Sequence, residues 1–362
     1  MSAWSLSVKL CVCVVIAGLV AAGQPAVAAA PETSEAVLRQ SPFSIYTEWP
    51  FDAGEAARRQ KETAEALGLP VEKAADIGDG VKIELVLIPA GEFMMGSAIS
   101  PEETLRRGGG ATYPSPLAYE RSHPQHRVRI TRPFYMGKYE VTQDVWEKVM
   151  GTKWERPEKD NQDRPLKPLD YRGARRPVDR ADLVVSREND QGNDCQGFLK
   201  KLNALVEGTG TFRLPSEAQW EYACRAGTET PFYFGENITT DQANVRGDYS
   251  VWDGKKGVAR RKTVEVGSLP PNAWGLHEMH GNVWEWCEDL YADYPKDART
   301  QTDPSDPVKG DRRAERVLRG GAFCHIMAES RSAYRRPVGG GYEPNDADVG
   351  FRLVLALPSS TP

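Results

Sequence analysis

The sequence is poor in cysteine, with six in 362 residues. Two of them, Cys11 and Cys13, lie within the first 30 residues, and the others are Cys195, Cys224, Cys287 and Cys324. Four cysteines are too few to build a disulfide scaffold for a chain of this length. A buried apolar core must therefore hold the fold, and a composition with 40% hydrophobic residues and nine tryptophans permits one.

The sequence also lacks a long apolar run, since none reaches the roughly 20 residues that a membrane-spanning helix needs. The run LCVCVVIAGLVAAG at 10–23 follows Lys9 and precedes the small-residue stretch AVAAA at 26–30. These three parts in this order are typical of a secretory signal peptide. We therefore expect residues 1–30 to be removed and the mature chain to be extracytoplasmic, periplasmic or secreted, with no membrane contact after cleavage. A membrane anchor is the alternative.

There is no excess of basic charge. Without Lys9 the chain carries 45 basic and 51 acidic side chains, and the two signs are interspersed. This pattern predicts no nucleic-acid partner. The sequence also contains no nucleophile elbow, phosphate-binding loop or complete dinucleotide fingerprint, so the common enzyme classes have no support.

Glycine and proline are frequent, with 33 and 26 residues, which predicts many turns and short elements. We interpret residues 31–80 as a linker containing one exposed helix at 52–69, which ends at Gly68 before Pro70. Residues 81–358 are predicted to form one α+β domain with a high loop content, followed by a tail at 359–362.

Local patterns predict the main elements of this domain. Alternating apolar residues at 81–87 and 128–130 predict strands, as do RVLRGGAF at 316–323 and VGFRLVLAL at 349–357. Helices are predicted after Thr142, over 194–206 and after Ser216, where Gln219 stands at the capping-box position and Gly227 ends the segment. Residues 97–123 and 152–191 are predicted to be irregular.

Six sequence blocks carry a resemblance to a known family. They are LIPAGEFMMGS, YEVTQDVWEKVMG, FRLPSEAQWEYACRAG, PPNAWGLHEMHGNVWEWCEDLY, RVLRGGAF and VGFRLV, in that order between residues 85 and 355. The order resembles that of the sulfatase-modifying-factor family, whose founding activity is the formylglycine-generating enzyme. The resemblance implies a C-type-lectin-like core with little regular secondary structure, bound calcium, and a groove that accepts an extended peptide.

The founding activity converts a sulfatase cysteine to formylglycine with molecular oxygen, and it uses two cysteines in the pattern C-x-x-x-x-C to hold copper(I). Cys324 and His325 match the first half of that pattern, but Glu329 stands five residues after Cys324. A carboxylate is a hard ligand and does not replace a soft thiolate on copper(I). Anchoring the comparison on RSAYR instead shortens the loop and moves Cys324 out of place. We therefore interpret Cys324 as a vestigial or structural thiol and expect copper(I) only if the chain is catalytically active.

The alternative is a single-thiol oxidase, in which Cys324 is exposed and Arg319 or His325 lowers its pKa. The other cysteines do not supply the missing thiol. In the family, the cysteine matching Cys224 often pairs with one in the closing GFRC, where this chain has Leu353. A disulfide between Cys224 and Cys287 stays open.

The resemblance assigns a first calcium to the block HEMHGNVWEW. Its ligands would be the side chains of Glu278 and Glu285 and the backbone oxygens of Gly281 and Val283. Such a set of hard oxygens suits Ca²⁺. The alternative is that Glu285 only forms a salt bridge.

A second calcium would use Asn244 and the backbone of Val245, although the stretch that follows them does not match cleanly. Zinc is a weaker alternative elsewhere in the chain. It rests on the pairs His123 and His126 in HPQH and His277 and His280 in HEMH, with Cys324 and His325 as a further ligand source.

Two functions are compatible with these features. As an enzyme, the chain would oxidise a sulfatase cysteine through Cys324. As a binding protein, it would hold a peptide, a glycan or a protein partner such as a sulfatase in the family groove, without copper chemistry. Glu329 favours binding, and fold alone decides neither.

Overall fold

The computed structural model describes residues 41–107, 116–154, 172–179, 195–208, 210–249, 255–305, 315–339 and 348–357. The predicted signal peptide at 1–30, the first part of the predicted linker and the tail at 359–362 lie outside the described residues, as does most of 152–191. Within the described ranges, none of the helices has both the length and the apolar character needed to cross a bilayer.

Six helices are described, and most are short. They are α1 (Ala53–Leu67), α2 (Pro101–Arg107), α3 (Pro116–Glu120), α4 (Gln143–Met150), α5 (Cys195–Leu205) and α6 (Glu217–Arg225), and a single 3₁₀ turn covers Met327–Ser330. Helices α4, α5 and α6 confirm the predictions for those segments. The capping box of α6 is present, with Ser216 accepting from the backbone of Gln219 and the Gln219 side chain accepting from the backbone of Ser216.

Among the described residues, twelve short strands form three sheets. The strands are β1 (Glu72–Asp76), β2 (Lys82–Ile88), β3 (Gly91–Met95), β4 (His126–Ile130), β5 (Phe134–Gly137), β6 (Thr211–Arg213), β7 (Trp284–Leu290), β8 (Gln301–Thr302), β9 (Arg316–Arg319), β10 (Arg336–Val338), β11 (Val349–Gly350) and β12 (Val354–Ala356). Their orders are β1-β2-β5-β12-β6, β10-β9-β7-β11 and β3-β4-β8. The α+β prediction and the high loop content are confirmed.

The apolar core lies on both faces of the five-stranded sheet. Along β2, Leu85 and Leu87 belong to one buried cluster, whereas Val86 and Ile88 belong to the other. Successive side chains of a strand point to opposite faces, so a strand covered on both sides must be apolar at every position. This explains why LVLI is a continuous apolar run.

The region interpreted as a linker takes part in the fold. Strand β1 pairs antiparallel with β2, from Glu72 opposite Val86 to Asp76 opposite Lys82. Helix α1 is not wholly exposed, because it buries Ala56, and Gln60 donates to the carbonyl of Leu87 at 3.0 Å. The sequence EKAAD lacks the β-branched residues that mark a strand, so the backbone edge of β2 decides its conformation.

Residues 97–123, predicted to be irregular, contain α2 and α3. Charge pairing along one face stabilises α2, where Glu103 accepts hydrogen bonds from Arg106 at 2.6 Å and from Arg107 at 2.9 Å. Because prolines and glycines flank this segment, the sequence pattern did not predict its helix of two turns.

The four-stranded sheet brings together two distant parts of the chain. Strand β11 pairs in parallel with β7, with Val349 opposite Trp284, and the Trp284 N–H donates to the carbonyl of Asp348 at 2.7 Å. After β9 the chain turns at Gly320 and Gly321, which have φ of 94° and 77°. A Cβ on Gly321 would lie 2.1 Å from the hydroxyl oxygen of Ser330, so this turn needs glycine. The turn delivers Cys324 and His325 beside Asp348.

Candidate functional site

The loop at 322–329 holds Cys324 and His325 in one backbone arrangement. The Phe323 N–H donates to the carbonyl of Asn282 at 3.0 Å, and the His325 N–H donates to the carbonyl of Ala322 at 2.9 Å. The His325 carbonyl in turn accepts from the Arg246 N–H at 2.8 Å. Backbone contacts within the loop and with two other segments, at Asn282 and Arg246, therefore hold the backbone of both residues in place.

The His325 imidazole lies between two carboxylates. Its Nδ1 is 3.0 Å from Glu329 and its Nε2 is 2.8 Å from Asp348. Burial alone would lower the pKa of His325, but hydrogen bonds with Asp348, Cys324 and Glu329 raise it to about 12. As arranged, the ring is an imidazolium that donates to both carboxylates.

Cys324 reaches the surface, but its sulfur is crowded. The Sγ atom lies 3.3 Å from Asp348 Oδ2. Desolvation by this packing raises the pKa of Cys324 to about 11, and the contact with His325 does not reverse the shift. Arg319 is buried and paired with Glu221, so it does not activate the thiol. The lowered pKa that a single-thiol oxidase needs is not found.

Glu329 stands five residues after Cys324, where the resemblance to the family places a second thiol. It is buried, with one oxygen 3.0 Å from His325 Nδ1 and the other accepting from the Tyr334 hydroxyl at 3.4 Å. The carboxylate therefore orients the imidazole.

Asp348 is the member of this site that no sequence motif indicated. It is buried beside Trp284, although it lies 24 positions from Cys324 in the chain. In the described part of the chain, Cys324, His325 and Asp348 form the one group of three His, Cys, Asp or Glu whose ligand atoms lie within 4.8 Å of one another. The only sequence signal is a polar residue directly before VGFR.

The carboxylates predicted to bind the first calcium have other partners. Glu278 accepts from the N–H groups of Gly267 at 2.9 Å and Leu269 at 3.1 Å. Glu285 pairs with Arg352 at 2.8 Å and accepts from the indole N–H of Trp220 at 2.8 Å. This is the salt-bridge alternative, with Arg352 supplying the cation. As arranged, the donor set at Glu285 does not fit a calcium ion.

The backbone residues of that predicted site are also buried. The Gly281 N–H donates to the carbonyl of Gly320 at 2.8 Å, and the Val283 N–H donates to Glu140 at 3.2 Å. Burial and the charges of Glu285 and Glu278 raise the pKa of Glu140 well above its ordinary value, and burial raises the pKa of Glu278 to about 7. Three buried carboxylates thus lie near Arg352, and burial favours the neutral form of Glu140 and Glu278.

The second predicted calcium site fits a cation better. Asn244 and Val245 are fully buried. Asn244 Nδ2 donates to the carbonyl of Lys262 at 2.9 Å and to Asn282 Oδ1 at 3.1 Å. Its Oδ1 has no hydrogen-bond partner among the described residues. A buried amide oxygen without a partner is a suitable hard ligand.

Among the described residues, the paired histidines of the zinc alternative do not come together as a metal site, and no disulfide is formed. Both ring nitrogens of His280 have backbone partners, Ser330 at 2.7 Å and Tyr233 at 3.1 Å. His277 contacts the carbonyl of Leu269 at 2.8 Å, and His126 that of Pro124 at 3.1 Å. His123, like these, belongs to no group of three ligand residues in the part of the chain described above. No disulfide joins the described cysteines, so Cys224 and Cys287 are not paired.

A family model for the sulfatase-modifying factor enzyme 1-like domain matches residues 79–357. The chain belongs to the sulfatase-modifying factor family. The match covers every described strand except β1, the loop with Cys324 and His325, and Asp348. The resemblance that the six blocks carried is confirmed.

The similar proteins differ in how much of their own length matches this chain. The formylglycine-generating enzyme of Streptomyces coelicolor is 26% identical over 318 residues, which cover 74% of this chain and 88% of the enzyme. The serine/threonine-protein kinase pkn1 of Chlamydia caviae is 37% identical over 148 residues, but these cover 40% of this chain and 21% of the kinase. The chain thus spans about a fifth of that kinase.

Among solved structures, Treponema denticola variable protein 1 has a TM-score of 0.56 at 22% identity. The alignment covers 79% of this chain and 99% of that protein. At this identity the similarity shows a common fold, and it confirms the fold predicted for the sulfatase-modifying factor family.

Proposed function

We propose that this member of the sulfatase-modifying factor family is an extracytoplasmic, calcium-stabilised protein that binds a peptide, glycan or protein partner, such as a sulfatase, without copper-dependent oxidation. The supporting observation is Glu329, which stands where the founding activity has its second thiol and is paired with His325 at 3.0 Å. Two soft ligands are needed to hold copper(I) before a substrate thiol arrives, and this loop supplies one.

The surface near Cys324 supports a binding role. Tyr249 is 49% exposed, and the Arg246 guanidinium lies 4.2 Å from the centre of its ring. The backbone of Arg246 contacts His325, so this pair adjoins the Cys324 loop. An exposed aromatic ring with a stacked guanidinium combines apolar area with hydrogen-bond donors, which suits a peptide or a glycan.

Calcium is supported by one feature of the buried interior. The Asn244 Oδ1 atom lacks a hydrogen-bond partner in the described ranges. A bound calcium ion would take this hard oxygen as a ligand.

Export is supported by the three-part pattern at residues 1–30. N-terminal sequencing of the mature protein is expected to begin just after 28–30. A mature protein that still begins at Met1 would contradict export by this route.

The absence of oxidation can be tested with a synthetic peptide that carries the sulfatase-type cysteine. After incubation with the purified protein, copper and oxygen, mass spectrometry is expected to show no conversion to formylglycine. The physical reason is that this loop supplies one thiol, and the carboxylate of Glu329 does not replace a second soft ligand on copper(I). The formylglycine-generating enzyme of Streptomyces coelicolor serves as the positive control.

The matched variant for this test is Cys324→Ser, which removes the single thiol and keeps the side-chain shape. Wild type and variant are expected to leave the peptide equally unmodified. A formylglycine mass shift with wild type that is lost in Cys324→Ser would replace the binding proposal with a one-cysteine oxidase.

A further inference from the structure

The Cys324 loop and the start of β11 converge on one carboxylate. The thiol of Cys324 and the imidazole Nε2 of His325 lie 3.3 Å and 2.8 Å from the same oxygen, Asp348 Oδ2. Asp348 Oδ1 is buried and has no hydrogen-bond partner among the residues that the structure describes. A buried carboxylate with an unused oxygen, facing a thiol and an imidazole, is a set of three metal-ligand types.

We infer that Cys324, His325 and Asp348 bind a divalent transition-metal ion, with zinc as the best match, through Sγ, Nε2 and a carboxylate oxygen. A thiolate, an imidazole and a carboxylate combine soft, borderline and hard donors. This mixture suits Zn²⁺, which accepts S, N and O ligands in a tetrahedron. It is a different site from a two-thiolate copper(I) centre, because two of its three ligands are not sulfur.

The distances leave room for the ion after a small adjustment. In a tetrahedral site with bonds of about 2.0–2.3 Å, the ligand atoms lie roughly 3.3–3.7 Å apart. The separation from Sγ to Oδ2 is 3.3 Å, and that from Nε2 to Oδ2 is 2.8 Å. The imidazole and carboxylate would therefore separate by about half an ångström. The third pair, Sγ and Nε2, lies within 4.8 Å, and rotation of the three side chains would bring all three atoms to the ion.

The backbones that carry the ligands are fixed. The carbonyl of His325 accepts from Arg246 at 2.8 Å, and the carbonyl of Asp348 accepts from Trp284 at 2.7 Å. The His325 ring also packs edge-on against Trp284, with ring centres 5.3 Å apart. Ligands held on a fixed backbone lose little conformational freedom on binding, which favours affinity.

Glu329 gains a role in this arrangement. Its carboxylate accepts from His325 Nδ1 at 3.0 Å, which leaves Nε2 to face Asp348. A carboxylate on the far nitrogen of a metal-binding histidine fixes the ring and increases its strength as a ligand. Glu329, which stands in place of the second thiol, would thus support the ion through His325.

The charges around the site balance with a divalent ion. A thiolate, Asp348 and Glu329 would carry three negative charges, and the ion and Arg336 would carry three positive charges. Arg336 Nη1 lies 3.3 Å from His325 Nε2 and must move aside when the ion binds. Its guanidinium already stacks over Trp284, 5.4 Å from the ring centre, and this contact can hold it beside the site when the ion binds. Because Cys324 is exposed, the fourth position of the ion faces solvent.

Titration of the mature protein, without residues 1–30 and their two cysteines, with cobalt(II) tests the site directly. Tetrahedral cobalt(II) absorbs visible light, and a thiolate ligand adds a charge-transfer band in the near ultraviolet. We expect one equivalent of cobalt to produce both signals, and zinc to displace it. The Cys324→Ser variant is expected to lose the charge-transfer band, and because Cys324 lies at the surface this variant should fold.

Two further variants distinguish Asp348, a proposed metal ligand, from Glu329, which orients His325. Asp348→Asn is expected to weaken cobalt binding strongly, whereas Glu329→Gln should keep the charge-transfer band and weaken binding by about 10–100-fold. Asp248→Asn is the matched control, because Asp248 lies on the neighbouring loop and pairs with Arg246 and Arg261. It should bind cobalt as wild type does.

Absence of the thiolate band in wild type, or its persistence in Cys324→Ser, would overturn the site. Equal binding by Asp348→Asn and wild type would also overturn it. These outcomes are independent of the peptide-oxidation experiment, so the metal site and the binding function can fail separately.

Discussion

Glu221→Gln is expected to lower the free energy of unfolding by about 3–5 kcal/mol, the cost of leaving buried charges without their partner. Glu221 is fully buried on α6, with one oxygen 2.8 Å from Arg225 and the other paired with Arg319. Both arginines are also buried. The glutamine keeps the shape of the side chain but removes the charge that both guanidinium groups need.

The measurement is chemical denaturation at neutral pH, compared with Glu103→Gln as a control. Glu103 pairs with Arg106 and Arg107 on the surface of α2, so its loss is expected to cost less than about 1 kcal/mol. A loss of less than about 1 kcal/mol in Glu221→Gln would mean that water reaches the network and screens its charges.

The same carboxylate predicts a pH dependence. Burial alone would raise the pKa of Glu221, but the charges of Arg225 and Arg319 hold it below its ordinary value of 4.5. A carboxyl with a lowered folded-state pKa stabilises the protein above its unfolded pKa, and this contribution is lost as pH falls through the folded value. Wild type should therefore lose stability in acid below pH 4.5, and Glu221→Gln should lose less.

Glu285→Ala is expected to have an effect of similar size, about 3–5 kcal/mol, because it leaves Arg352 buried without its anion. Arg352 is fully buried and donates to Glu285, and the Trp220 indole N–H also loses its acceptor. Arg352→Met leaves the carboxylate without its cation and should cost a comparable amount. The double variant Glu285→Ala and Arg352→Met should lose less than the sum of the two single variants, because neither partner of the ion pair then remains.

Calcium can be separated from this ion pair by melting each protein with and without EGTA. Calcium at about 100 times its dissociation constant would add about 2.7 kcal/mol to the native state, so EGTA should lower the melting temperature of wild type. Glu285→Ala should melt lower than wild type even without chelator. Equal melting of calcium-loaded wild type with and without EGTA would remove calcium from the proposal and leave the ion pair in place.

Features encoded by near neighbours could be predicted from the sequence. The capping box of Ser216 and Gln219 fixes the start of α6, because both partners lie within one helical turn. The alternation and apolar run at 81–88 fix β2, and the six ordered blocks fix the family. Glu329 in place of a thiol was visible in the same way, and it is the basis of the proposed function.

Tertiary structure decided which side chains meet. Asp348 reaches His325 because β11 pairs with β7 and the turn at Gly320 and Gly321 points the cysteine loop toward it. Glu140 and Asn282 make a hydrogen bond across 142 positions, and Glu285 pairs with Arg352 across 67. A local pattern reports propensity and burial over one or two turns. It carries no information on which distant backbone will lie alongside, so the metal-ligand cluster and the partner of Glu285 emerged only from the packed sheets.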